Sequence, residues 1–134
     1  MQLVLSGKVV PKKNSKTVFK KNGRMFVLPS VRFSKWHKDA VSQVNEQRRH
    51  LVRQHLLDIY FDCPCHIDVV FYHSDNRRRD GDNILSSIFD LLVDTHVLAD
   101  DSTKIVKSFF VKHISSDIDK TVVNIYKLAW LKGK

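Results

Sequence analysis

The residues most able to do chemistry are Arg77-Arg78-Arg79-Asp80-Gly81-Asp82-Asn83, followed by Asp100-Asp101-Ser102. Three arginines abut an Asp-x-Asp pair. Guanidinium groups take phosphate oxygens in a planar fork, whereas carboxylates repel a phosphate unless a divalent cation lies between them. Mg²⁺ is a hard cation that prefers oxygen ligands and keeps several waters. It acidifies an attacking water and offsets charge at a phosphodiester undergoing displacement. The chain as a whole carries 23 Lys+Arg against 14 Asp+Glu, a formal net charge of +9, which favours a polyanionic partner such as nucleic acid. Metal-assisted phosphodiester chemistry therefore accounts for both signs of charge. The plainer reading is that Asp-x-Asp caps a helix or turn and that Asp100-Asp101 is a turn.

The elements around the motif set its geometry. Residues 66–73 are rich in β-branched and aromatic types and read as a strand with Ile67, Val69 and Phe71 on one face. A helix over about 83–95 follows, burying Ile84, Ile88, Leu91 and Leu92. Asp80 and Asp82 thus stand at a strand-to-helix junction, where alternate residues of an extended chain point the same way, with Asp82 at the expected N-cap. The helix carries the chain away, and His96 to Ala99 are expected to return it so that Asp100 and Asp101 lie beside the first pair. Asp90, two helical turns after Asp82 with Ser86 between them, has a supporting position.

The flanks read more simply. Residues 2–10 form a strand that stops at Pro11. A basic segment follows, with Lys12, Lys13, Lys16, Lys20, Lys21 and Arg24. Asn22-Gly23 suits a tight turn between Thr17–Lys20 and Arg24–Val27. This segment reads equally as a DNA-ordered hairpin or a solvated loop. Ser30 caps a long helix bearing Phe33, Trp36, Ala40, Val44, Leu51 and Leu56, with Trp36 in the core. The polar run Asn45 to His50 is expected to project from the core or break the helix, and His37, His50 and His55 to be surface residues. Strands over 104–113 and 121–128 close the chain, with Asp117-Ile118-Asp119 as the turn. The result is a single α/β domain over 1–134, a mixed sheet packed against two main helices on one side. Cys63-Pro64-Cys65 lacks zinc-knuckle spacing and reads as ordinary thiols at a strand entrance. No apolar run approaches the ~20 residues of a membrane span and the N-terminus lacks signal-peptide character, so a cytoplasmic protein without membrane partners is expected.

The stretches Arg77 to Asn83, Phe89-Asp90-Leu91-Leu92 and Leu98-Ala99-Asp100-Asp101, with Pro11 to Lys16, resemble the RusA-type Holliday-junction resolvases, including those of phages and prophages. The resemblance covers most of the chain. It implies a RusA-like fold, a homodimer, branched four-way DNA as substrate, symmetric paired nicks, and Mg²⁺, with Mn²⁺ as substitute, as cofactor. The metal-binding and catalytic residues it implies are Asp80, Asp82 and Asp101. Arg77, Arg78 and Arg79 would position the backbone; Lys12, Lys13, Lys16, Lys20 and Lys21 would hold a junction arm; Asp90 and Asp100 would support the site. There is one departure: the family pattern has a lysine four residues after the second aspartate, where this chain has Ser86. Either Arg79 or Lys104 takes over its charge, or the protein binds branched DNA and cuts it weakly or not at all. An RNA-binding sheet is a third reading, but the chain lacks its paired aromatic motif and it leaves the aspartates unexplained.

Overall fold

In the computed structural model, residues 1–12, 16–54, 60–76 and 81–128 are described, excluding the side chains of 16–19 and 26–29. The elements run β1 (Gln2–Ser6), β2 (Lys16–Lys21), β3 (Arg24–Pro29), α1 (Val31–Arg53), β4 (Cys65–His73), α2 (Gly81–Asp94), β5 (Val106–Ser115) and β6 (Lys120–Lys127). β1, β6, β4 and β5 make one sheet in that order, and β2 and β3 a separate hairpin. β4 and β5 are parallel, and the other pairings are antiparallel. The sheet is therefore mixed, with α2 as the crossover that two parallel neighbours require.

Strand alternation builds the inner face. Cys65, Ile67, Val69 and Phe71 of β4 point inward, as do Leu3 and Leu5 of β1 and Val123 and Ile125 of β6. Against them α2 lays Ile84, Leu85, Ile88, Leu91 and Leu92, and α1 lays Ala40 and Val44, in one core cluster. Burying each large apolar side chain contributes about 1.5–3 kcal/mol relative to exposure. Trp36 packs partly buried against this core. No helix among the described residues is long and apolar enough to cross a membrane.

Some local expectations change and others hold. β1 stops at Ser6 rather than continuing to Val10, because the chain turns away where the Gly7 N–H donates to the Asp119 carbonyl at 3.0 Å. α1 runs unbroken through its polar run, and its core residues end at Val44, just before it. Gln47 accepts from the Val4 N–H at 2.9 Å and donates to the Val4 carbonyl at 2.7 Å, while Gln43 accepts from the Ser6 N–H at 2.8 Å. The glutamines thus pair with the β1 backbone, and Arg48 donates to the Thr95 carbonyl. His37 is not a plain surface residue: its Nε2 lies 3.0 Å from Asp94 Oδ2, joining α1 to α2. Asn22 and Gly23 both have positive φ, 52° and 75°, and join β2 to β3 in the tight turn that their sequence suits.

Candidate active site

The junction between β4 and α2 holds the first group of acidic residues. α2 begins at Gly81, so Asp82 lies in its first turn and not at the N-cap. Its side chain is exposed, and its charge opposes the positive end of the helix dipole, worth about 0.3–1 kcal/mol at a surface. Arg77, Arg78, Arg79, Asp80 and Lys13 fall outside the described residues, as does the side chain of Lys16. Lys20 and Lys21 are exposed beside the hairpin turn. Lys12 is engaged within the protein. Its Nζ lies 3.1 Å from Asp90 Oδ2 and 5.9 Å from the centre of the Phe33 ring, in the groove between α1 and α2. Ser87, which the sequence did not single out, fixes this segment: its hydroxyl donates to the Val10 carbonyl at 2.8 Å and accepts from the Lys12 N–H at 3.2 Å. Ser86 is half-buried one turn after Asp82.

Asp100 and Asp101 lie in the exposed loop between α2 and β5. The Asp101 N–H donates to Asp100 Oδ1 at 2.9 Å, and the Ser102 hydroxyl, followed by nearby backbone N–H groups, holds the Asp100 carboxyl below its ordinary range. Lys104 is exposed in the same loop, which reaches β5 only at Val106, paired with Cys65 at the start of β4. The topology therefore puts Asp82 and Asp101 at opposite ends of α2. Fourteen helical residues span about 21 Å at 1.5 Å per residue. The return expected over His96 to Ala99 is not made, because this segment is held at the entrance to β4. Leu98 bridges Phe61, the Phe61 N–H donates to the Val97 carbonyl at 2.7 Å, and the Ala99 N–H donates to the Phe61 carbonyl at 2.9 Å. Among the described residues, which exclude Asp80, no three His, Cys, Asp or Glu side chains gather in a way that could hold a metal ion.

Sequence reading also missed two features at the Asp82 end. His73 and His113 meet there, Nε2 to Nδ1, at 2.9 Å; only the position of His73 two residues beyond Phe71, on the buried row of β4, hinted at it. Nearby, Asp119 accepts from the Ser74 N–H at 2.9 Å and from its hydroxyl at 2.8 Å, which holds the Asp119 carboxyl below the ordinary range. At the other end of β4, burial and then the charge of Cys63 push the Cys65 thiol up to about 11, so it stays protonated, and hence a poor metal ligand, at neutral pH.

A basic α/β chain with carboxylates at both ends of a crossover helix suits work on a phosphate backbone. The family model for endodeoxyribonuclease RusA matches residues 6–126, from the end of β1 almost to the end of β6, and the chain belongs to this family of nucleases. No curated protein matches the chain.

Proposed function

We propose that the protein is a homodimeric, Mg²⁺-dependent endonuclease that resolves four-way DNA junctions by paired symmetric nicks, acting on recombining DNA of a bacterial cell or its phage. The observation that carries this reading is the position of Asp82 and Asp101 at the two ends of α2 within a chain of the RusA family. Carboxylate oxygens are the donor type that Mg²⁺ or Mn²⁺ accepts, so Asp80, Asp82 and Asp101 fit such an ion chemically. Asp82 and Asp101 stand apart within one copy, which supports a site shared between two copies. Asp80 and Asp82 of one subunit would then meet Asp101 of the partner subunit, and a two-fold dimer would hold two such sites, one for each nick. A bound ion would supply an acidified water and charge neutralisation at the phosphate. The protein's own groups orient the substrate. Arg77, Arg78 and Arg79 grip phosphates beside the carboxylates, and the exposed Lys20 and Lys21, with Lys13 and Lys16, hold a junction arm through sequence-independent contacts.

The test is cleavage of a synthetic four-way junction with Mg²⁺ by wild type, Asp82→Asn, Asp101→Asn and an equimolar mixture of the two variants after subunit exchange. Wild type is expected to cut and each variant alone to be inactive. The mixture should regain nicking, since mixed dimers contain one intact site. An inactive wild type overturns the nuclease assignment. An inactive mixture beside an active wild type overturns the shared site.

A further inference from the structure

The inner face of β4 is apolar from Cys65 to Phe71 and then ends on His73. The parallel register sets Phe71 opposite His113 of β5, so His73 and His113 stand diagonally across the two strands. Their ring planes lie within 14° of one another and their centres 5.1 Å apart. With the facing nitrogens at 2.9 Å, that separation about equals the contact plus two ring radii. The imidazoles are therefore edge to edge in almost one plane, as an N–H···N bond requires, rather than stacked face to face. The Phe71 ring runs nearly parallel to both, at 14° and 16°. The backbone ladder joins the two strands as far as His73 and Ser115, and the imidazole bond adds a side-chain tie there beside the buried Phe71 ring.

This tie touches the acidic motif. A Cβ at position 81 would lie 3.3 Å from His113 Nε2 and 3.8 Å from Cε1. The first is tighter than most side-chain carbons come to a neighbour, so a larger residue at 81 would force the imidazole or the start of α2 to give by a few tenths of an ångström. Gly81 directly precedes Asp82, so whatever fixes its height above the sheet bears on the Asp82 carboxylate. We propose that the His73–His113 pair is a positioning device for the first turn of α2 at Gly81 and Asp82: it serves as the stop against which the beginning of α2 rests. The inference rests on the nuclease reading of that turn. An apolar side chain at position 113 would fill the space, but it could not hold its orientation through a hydrogen bond to the neighbouring strand. Nor would it offer a polar edge to the turn that carries Asp82.

The experiment is a double-mutant cycle between Gly81→Ala and His113→Ala, with Asp82→Asn as control, on junction DNA. Turnover at saturating DNA, the Mg²⁺ concentration for half-maximal cleavage, junction affinity in EDTA and melting temperature are measured for each protein. His113→Ala is expected to lower turnover on the order of 10²-fold, the usual cost of displacing a reacting group by about 1 Å. It should raise the Mg²⁺ requirement while leaving junction affinity in EDTA unchanged. Gly81→Ala should lower turnover in the wild-type background but do little further harm once His113 is alanine. A wild type that cuts, an inactive Asp82→Asn and a fully active His113→Ala would overturn the positioning role while sparing the nuclease reading. So would additive effects of the two alanines. Should His113→Ala fail to fold, His73→Gln, which retains a side chain able to bond to His113 Nδ1, takes its place: turnover near wild type supports the pair, and loss as large as that of His73→Ala overturns it.

Discussion

The two ends of α2 are built differently. The far end is locked. His96 adopts φ of 61° just past the helix, the His96 N–H donates to the Val93 carbonyl and the Val97 N–H to the Leu92 carbonyl, a Schellman arrangement that satisfies the last carbonyls. The Thr95 hydroxyl donates to the Leu91 carbonyl at 2.7 Å, His37 reaches Asp94, and the Phe61–Leu98 bridge ties the following chain to the sheet. The near end carries Gly81, the exposed Asp82 and, close by, two imidazoles. Both ends are packed, Ile84 and Leu85 entering the core at the near one, but the far end also has its backbone capped, whereas the near end presents the exposed Asp82.

Substitutions at the two ends should therefore separate stability from activity. The largest effect is expected at Phe61, 1% exposed beside the far end. Phe61→Ala should cost about 3–5 kcal/mol, read as a lower urea midpoint, with activity lost because the protein unfolds. Asp82→Asn should act oppositely. On the proposed function, losing Asp82 removes a few kcal/mol of transition-state stabilisation, about 10²–10³-fold in cleavage rate, while its place in the helix dipole changes stability by less than about 1 kcal/mol. A melting point as depressed as that of Phe61→Ala would break the comparison.

A smaller effect concerns acid. Asp119 buttresses the near end through Ser74, and its carboxyl is lowered in the folded protein chiefly by the Ser74 backbone N–H. A lowered folded value contributes stability above the ordinary aspartate pKa of about 3.9. That contribution is lost as pH falls through the lowered value. The melting temperatures of wild type and Asp119→Asn should differ at pH 7 and converge below about pH 4. A constant gap would assign the difference to packing. The smallest effect belongs to His96. A non-glycine residue in the left-handed region costs about 1 kcal/mol, so His96→Gly should raise the melting temperature by a few degrees and leave junction cleavage as it was.

Much of this was legible beforehand. The 3.6-residue rhythm of Ile84, Ile88, Leu91 and Leu92 and the alternation of Ile67, Val69 and Phe71 mark faces that are buried, and Asn22-Gly23 marks the hairpin. Hydrophobic rhythm says which side of an element faces inward, but not which strand is its neighbour. The parallel pairing of β4 with β5 is what sends α2 back along the sheet and parts Asp82 from Asp101, and nothing in the spacing of the acidic residues reports it. The histidine pair depends on the register between strands forty residues apart, and the unbroken α1 on glutamines that bond to a backbone rather than to water. Local pattern cannot encode contacts of that kind.

Gln43 and Gln47 have a consequence for how the chain assembles. β1 is the first strand made, yet its strand partner β6 pairs Gln2 with Asn124 and Ser6 with Lys120, near the end of synthesis. Long-range pairing of this kind is slow because a large loop must close first. The two glutamines lie only 37 and 43 residues from their β1 partners. As the polypeptide emerges, α1 can therefore shield one side of β1 well before β6 exists, reducing the time that a bare N-terminal strand is open to neighbouring chains.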